Sequence, residues 1–362
     1  MNLVAASAVI AGKLEKNVSI KFSSGVITSI EPNSSHTPTI AGTLLPGFVD
    51  IHCHGGGGYY FSALNPDQIS TVIQTHRAHG TTAMLASLVT EPIESLLTQI
   101  QTLRPFINQG AIKGIHLEGP YLAHSHCGAH DSTLLKEPTI PELEKLIEAS
   151  DGNIRMVTIA PELNGAIAAI EFLVKQGVTV ALGHTGADAI TTRAAIAAGA
   201  TVITHFNNGM PKLDTGENIS SASLNDFGVA LELILDGVHI NESSTRRILG
   251  SAPGRFMAIT DAMSAAGAGD GNYTIGSLEV LVLNGVARLT SKDAFAGSTL
   301  TMDRAFLNLV NNFGVSITGA SFAASTLPAE RIGLRDVGSL EVGKLADFVE
   351  FTNSGLIKPL LS

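Results

Sequence analysis

From Pro46 onward, the apolar positions of the chain follow two alternating rhythms. Short, largely β-branched runs form the first: GFVDIHCH, TTAMLAS, IKGIHLEG, IRMVTIA, VTVALGH, TVITHF, VALELILDGVH and RFMAITDA. Between them come longer stretches whose apolar residues recur at spacings of three and four, including DQISTVIQTHRAHG, ESLLTQIQTLRPFI, PELEKLIEAS, GAIAAIEFLVKQG and AITTRAAIAAG. Near-continuous apolar runs suit strands buried on both faces, and three/four spacing suits amphipathic helices. The alternation predicts an α/β fold, with eight strands and intervening helices arranged as a (β/α)8 TIM-type barrel. An open, doubly wound sheet is the structural alternative, because strand count does not prove closure.

The ends of the chain read differently. Residues 1–45 carry short alternating runs, VAASAVIAG, VSIKFSSG and VITSIE, broken by Gly, Ser, Asn and Pro, with no helical stretch. LADFVEFT, near the C-terminus, has the same strand character. The expected organisation is therefore a small β-sandwich subdomain built from residues 1–45 and 336–362, with the barrel over 46–335.

Composition narrows the function classes. The chain has 362 residues, 44% hydrophobic and 15% charged, with 37 Gly and no Trp, as expected for a globular enzyme with a sizeable core. A formal charge of -10 sets the protein's field against nucleic acid and anionic lipid, so neither is an expected partner, and an anionic substrate would need local cationic groups. Two cysteines, Cys53 and Cys127, make no disulfide framework and point to a cytoplasmic home. The apolar N-terminal stretch lacks a basic leader and reads as a strand, and no run approaches the roughly 18 apolar residues of a membrane span.

Candidate chemistry sits where the strands end, which is where a parallel barrel places its active site. His52 and His54, two apart on an extended run, project to one face and can grip a cation. Glu118 closes the run GIHLEGPYL; His184 in ALGHT and His205 in ITHFNNGM close later ones. One Glu and two His leave a coordination position open for water, the arrangement of catalytic zinc sites. Asp261, in AITDAM, is suited to accept a proton from that water. His239 in DGVH and His130 in HCGAHD could meet the substrate. His124, His126, Cys127 and His130 could alternatively form a structural zinc cluster, although no Cys-x-x-Cys pair is present.

These residues resemble the N-acetylglucosamine-6-phosphate deacetylases of the amidohydrolase superfamily. The resemblance runs in order through LPGFVDIHCHGGGG, GIHLEGPYL, GAHD, TIAPE, LGHT, THFNNGM, DGVH, ITDAM, GSTLTM and ASTLPAERIGL. It implies that Glu118, His184 and His205 bind the primary metal, that Asp261 is the catalytic acid and base, and that His130 polarises the acetyl carbonyl. It also implies that Asn208, Gly209 and His239 hold the sugar phosphate, with backbone from Ala129, Phe295, Ala296 and Gly297 shaping the pocket. His52 and His54 imply a second metal bridged by Glu118, the cofactor being a divalent ion, zinc or iron. A homodimer is likewise implied. The family usually presents an Arg after the NNGMP segment, where this chain reads KLDTGENISS, leaving Lys212 as a substitute donor for phosphate. The expected activity is hydrolysis of the acetamide of N-acetylglucosamine 6-phosphate. Alternatives are deacetylation of N-acetylgalactosamine 6-phosphate, of an unphosphorylated sugar or of an N-acyl amino acid, and a non-catalytic sugar-binding barrel.

Overall fold

The computed structural model describes residues 1–33 and 37–360; positions 34–36 and 361–362 of the two terminal segments lie outside the described residues. Asn2–Ile10 pairs antiparallel with Lys13–Ser23 and parallel with Ile40–Pro46. The C-terminal strand Phe348–Phe351 then lies antiparallel along Ile40–Pro46, so both ends of the chain share one six-stranded sheet. Val18, Ile20 and Phe22 are buried, while Lys21 between them is exposed, the period-2 signature of a strand with one face covered. That face packs as a separate apolar cluster, where Phe22 meets Phe348 edge-on at 5.6 Å between ring centres.

The strand-like runs after Pro46 all become parallel strands. Phe48–Asp50 pairs with Thr81–Met84, which resumes after Leu85 as Ala86–Leu88. From there a seven-stranded parallel sheet runs in sequence order through Ile115–Glu118, Ile154–Ile159, Thr179–Leu182, Val202–Ile203, Ala230–Ile234 and Phe256–Ile259. Beyond its last strand, the Asp261 amide donates to His52 O at 2.8 Å, and Cys53 forms a parallel bridge with Ala262, so the last strand's continuation meets the first's.

The five stretches of three/four spacing are helices: Pro66–Ala78, Ile93–Asn108, Ile140–Ala149, Ala166–Lys175 and Ala189–Ala197. Their starts are chemically marked. Asn65 accepts from the Asp67 amide before Pro66, and Asp188 accepts from the Thr191 amide. Among the described residues no helix is long and apolar enough to cross a membrane.

One element departs from the expected alternation. After the last parallel strand the chain builds a three-stranded antiparallel sheet, Gly271–Ile275, Leu278–Leu283 and Val286–Leu289. The second and third strands are joined through Asn284 and Gly285, both at positive φ, the two-residue hairpin turn that Asn-Gly favours.

Arg255 ties a loop under the seventh strand. Its guanidinium is buried and donates to the carbonyls of Ser223 (3.4 Å), Asp226 (2.7 Å) and Val229 (3.3 Å) through Nη1 and of Leu224 (2.7 Å) through Nη2. These include the orphan carbonyls ending helix Ile219–Asn225. Arg255→Met is expected to destabilise the protein by about 2–4 kcal/mol, because buried acceptors lose charged donors. Chemical denaturation checks this, a change below about 0.5 kcal/mol contradicting it.

Candidate metal centre and catalytic pocket

The first and last parallel strands are locked together beneath the site by Asp50. Its carboxylate is fully buried, accepts from Thr260 Oγ1 at 2.6 Å and from the Thr260 and His52 amides, and burial raises its pKa to about 6. Above it, His52 and His54 turn to the same face, with their Nε2 atoms 3.1 Å apart. Glu118 arrives from the third strand, His184 and His205 from the fifth and sixth, and Asp261 from the eighth. His184, His205 and Asp261 all have left-handed φ, at 48°, 27° and 48°. Non-glycine residues held there store about 1–3 kcal/mol each, so surrounding contacts over-determine these positions.

Hydrogen-bond partners fix the tautomers. His54 Nδ1 faces Ser87 O at 3.2 Å, His184 Nδ1 faces His126 O at 2.8 Å, and His205 Nδ1 faces Asn208 O at 3.2 Å. A carbonyl oxygen only accepts, so each Nδ1 carries a proton and each Nε2 points inward, where a neutral ring offers a lone pair to a cation. His184 and His205 Nε2 then lie 3.0 Å apart, with Glu118 Oε1 at 3.1 and 3.0 Å from them. Three lone-pair donors converging without a proton between them repel one another, and a cation among them removes that repulsion. The other Glu118 oxygen lies 3.0 Å from His54 Nε2, and Asp261 Oδ1 lies 3.4 Å from His54 Nε2 and 3.5 Å from His52 Nε2. Two ligand groups thus share Glu118: Glu118, His184 and His205 on one side, and His52, His54, Glu118 and Asp261 on the other. Both fit divalent ions by donor chemistry.

Burial alone would raise the Glu118 pKa, but the facing His52, His130, His184 and His205 hold it well below the ordinary glutamate range. Asp261 is likewise lowered, burial being outweighed by His52 and His54. His130 is driven down to about 4, chiefly by burial, and so is neutral near pH 7. The Thr90 amide donates to His130 Nδ1 at 3.3 Å, which leaves the proton on Nε2, 3.5 Å from Glu118 Oε2. His130 therefore presents an N–H to the cavity. Thr90 Oγ1 in turn packs where a Cβ on Gly119 would sit 2.2 Å away, at φ 96°, so only glycine fits between Glu118 and this support.

One cavity is lined by His54, Glu118, His184, His205 and Asp261 together with Ala129, His130, Asn208, Gly209, His239, Phe295 and Gly297. Gly209 also needs to be glycine: at φ 58°, a Cβ there would lie 3.0 Å from His184 Nδ1. His239 is fixed by Asp236, which accepts from Nδ1 at 2.7 Å, and its ring stacks beside Phe295 at 4.7 Å. His52 is fully buried below the cavity rather than in its wall. Ala296 is not in the wall either; its side chain belongs to the apolar cluster under the three-stranded sheet, and its amide donates to Ala287 O. His124, His126, Cys127 and His130 do not form a ligand group among the described residues: His126 Nδ1 pairs with Ser125 Oγ and His130 turns to Thr90.

Sequence reasoning missed several supports. His116, two before Glu118 on the same strand face, sits under the site between Ser87 Oγ and Thr158 Oγ1, at 2.9 Å from each, and burial holds it well below the ordinary imidazole range. Glu232, fully buried in Ala230–Ile234, accepts from His52 Nδ1 at 3.0 Å and from the His205 amide at 3.1 Å. It thereby orients one residue from each ligand group. Glu232→Gln is expected to weaken divalent-ion binding by roughly 10- to 100-fold, read by competition with a chelator; unchanged affinity would remove this orienting role.

The amidohydrolase family model matches residues 43–359. The chain is 38% identical over 344 residues to the N-acetylgalactosamine-6-phosphate deacetylase of Escherichia coli O157:H7, covering 93% of this chain and 91% of that protein. It is 37% identical to the N-acetylglucosamine-6-phosphate deacetylase of Vibrio furnissii, covering 84% of this chain and 78% of that one. Among solved structures, the N-acetyl-D-glucosamine-6-phosphate deacetylase of Mycobacterium smegmatis, in complex with N-acetyl-D-glucosamine-6-phosphate, superposes with a TM-score of 0.95 at 39% identity, over 99% of this chain and 96% of that one.

Proposed function

The chain belongs to the amidohydrolase family, and we propose that it hydrolyses the acetamide of N-acetylglucosamine 6-phosphate, releasing acetate and glucosamine 6-phosphate. The observation that carries this reading is the convergence of Glu118, His184 and His205 beside Asp261 and His130 at the wall of one cavity. Sheet pairings at both edges, Phe48–Asp50 to Thr81–Met84 and His52–His54 to Asp261–Ala262, support a closed (β/α)8 barrel over 46–335. The shared terminal sheet, returning through the Val26–Leu345 bridge, supports a sandwich-like subdomain of 1–45 and 336–362. The two free thiols agree with a cytoplasmic location.

Zinc or iron held by Glu118, His184 and His205, with a second ion at His52 and His54, would supply Lewis-acid polarisation and lower the pKa of water toward 7. The chain's own groups supply the proton traffic. His130 donates Nε2–H to the acetyl oxygen and stabilises its growing negative charge as the amide carbon becomes tetrahedral. Asp261, held ionised, accepts a proton from the attacking water and passes it to the sugar nitrogen as the C–N bond breaks. His239, Asn208 and Gly209, with Ala129, Phe295 and Gly297, hold the sugar phosphate in register with these groups.

A second reading changes only the sugar, since one relative acts on N-acetylgalactosamine 6-phosphate by name. Acetate release from the two sugar phosphates, compared by kcat/KM, separates them. Preference for N-acetylglucosamine 6-phosphate by at least about tenfold is expected. Preference for the galactosamine compound would install the second reading, and no release from either would overturn both.

A further inference from the structure

A second cavity, of about 340 Å³, lies behind His130, and Ala129, His130 and Ile275 line both it and the catalytic cavity. The imidazole stands between the two spaces: its Nε2–H faces Glu118, and its Nδ1 turns to Thr90, which lines the second space. Beside it the shared wall is apolar. Ile275 ends the strand Gly271–Ile275, is 6% exposed, and belongs to the apolar cluster of Val280 and Ala296, with Ala129 packed against it. The turn that follows ties this wall to the loop carrying His130, because Ser277 Oγ donates to Asp131 Oδ2 at 3.1 Å.

The acyl carbon of the substrate has three substituents. Its oxygen takes the His130 Nε2–H, and its nitrogen leads to the sugar held by Asn208, Gly209 and His239. The alkyl group takes the remaining direction, away from those three residues. None of them lines the second cavity, whereas His130 and Ile275 line both.

We propose that Ile275 determines the acyl specificity of the enzyme: its side chain closes the alkyl end of the site against the second cavity and so restricts turnover to the acetyl group. This role rests on the function argued above. The space behind the wall has a selectivity of its own. Glu91 and Asp131 line it, and burial together with the Asp131 charge raises the Glu91 pKa. Two carboxylates repel a third, so a chain entering there is tolerated when apolar and rejected when anionic.

Wild-type enzyme is expected to favour N-acetylglucosamine 6-phosphate over its N-propionyl counterpart by at least about tenfold in kcat/KM and over N-butyryl by more, since one misfitted methylene changes kcat/KM by roughly 10- to 200-fold. Ile275→Ala is expected to raise kcat/KM for the N-butyryl compound at least about 30-fold, while that for the acetyl compound falls by less than about tenfold. The N-succinyl compound, equal to butyryl in length but ending in a carboxylate, should stay a non-substrate of the variant. Ile275→Val, which disturbs the cluster less, should gain on the propionyl compound alone. Calorimetric binding of the acetyl and butyryl compounds to chelated, metal-free protein should show the same gain for butyryl in Ile275→Ala.

Wild-type turnover of butyryl within about threefold of acetyl, or a butyryl-to-acetyl ratio unchanged in Ile275→Ala, would overturn the proposal. If that variant does not fold, an unchanged propionyl-to-acetyl ratio in Ile275→Val overturns it instead. Turnover of the acetyl compound by wild type tests the functional reading separately. Calorimetry tests the wall even if no sugar phosphate is cleaved, and binding of neither compound to wild type would remove both readings.

Discussion

Asp261→Asn is expected to lower kcat for deacetylation by roughly 10²- to 10⁴-fold, the range a positioned general base contributes, while the ion at Glu118, His184 and His205 is retained. The substitution keeps the shape of the side chain and an oxygen that can face His52 and His54 Nε2, now 3.5 and 3.4 Å from Oδ1. It removes the group that accepts a proton from water and returns it to the leaving nitrogen. The left-handed φ of 48° at this position is tolerated better by asparagine than by most residues, so the fold should persist. Steady-state kinetics beside metal analysis reads both quantities. Activity within about tenfold of wild type would remove Asp261 as the base.

Glu118→Gln should have an effect of the same order by another route. Glu118 Oε1 sits 3.1 and 3.0 Å from His184 and His205 Nε2, and Oε2 sits 3.0 Å from His54 Nε2, so one carboxylate serves both ligand groups. A neutral amide contributes no charge to offset an ion in a fully buried setting, and its NH2 would donate to an imidazole lone pair that the ion would otherwise use. Ion affinity is expected to fall by at least about 100-fold. Because an ion that binds only the folded chain stabilises it by mass action, the wild-type thermal midpoint should drop on chelation. That of Glu118→Gln should barely move. A chelation shift equal to wild type would show that Glu118 is not a ligand.

The sheet was legible because strands buried on both faces read as unbroken apolar runs, and because the helices between them repeat their apolar residues at spacings of three and four. The ligand candidates were legible because each ionisable residue sat where such a run stopped: Glu118 after IHL, His184 after VALG, Asp261 after AIT. The supports were not. Glu232 lies in mid-strand within ALELI and reads as a misplaced surface residue until His52 is brought to it from 180 positions away. Thr90 is an ordinary loop residue until it meets His130 Nδ1. The antiparallel insert was overlooked, although LEVLVL followed by Asn-Gly carries a hairpin signal, because it lies beyond RFMAITDA, the last of the eight runs assigned to the barrel. Ala296 is expected to shape the pocket through its backbone; its side chain turns into the apolar cluster while Phe295 and Gly297 face the cavity.

The central claim is that side chains from separate strands hold a divalent ion at Glu118, His184 and His205. Anomalous diffraction from crystals equilibrated with zinc addresses it directly. A peak about 2.0–2.2 Å from Glu118 Oε1, His184 Nε2 and His205 Nε2 together is the predicted result; zinc bound elsewhere, with these three atoms bare at saturating ion, would contradict it.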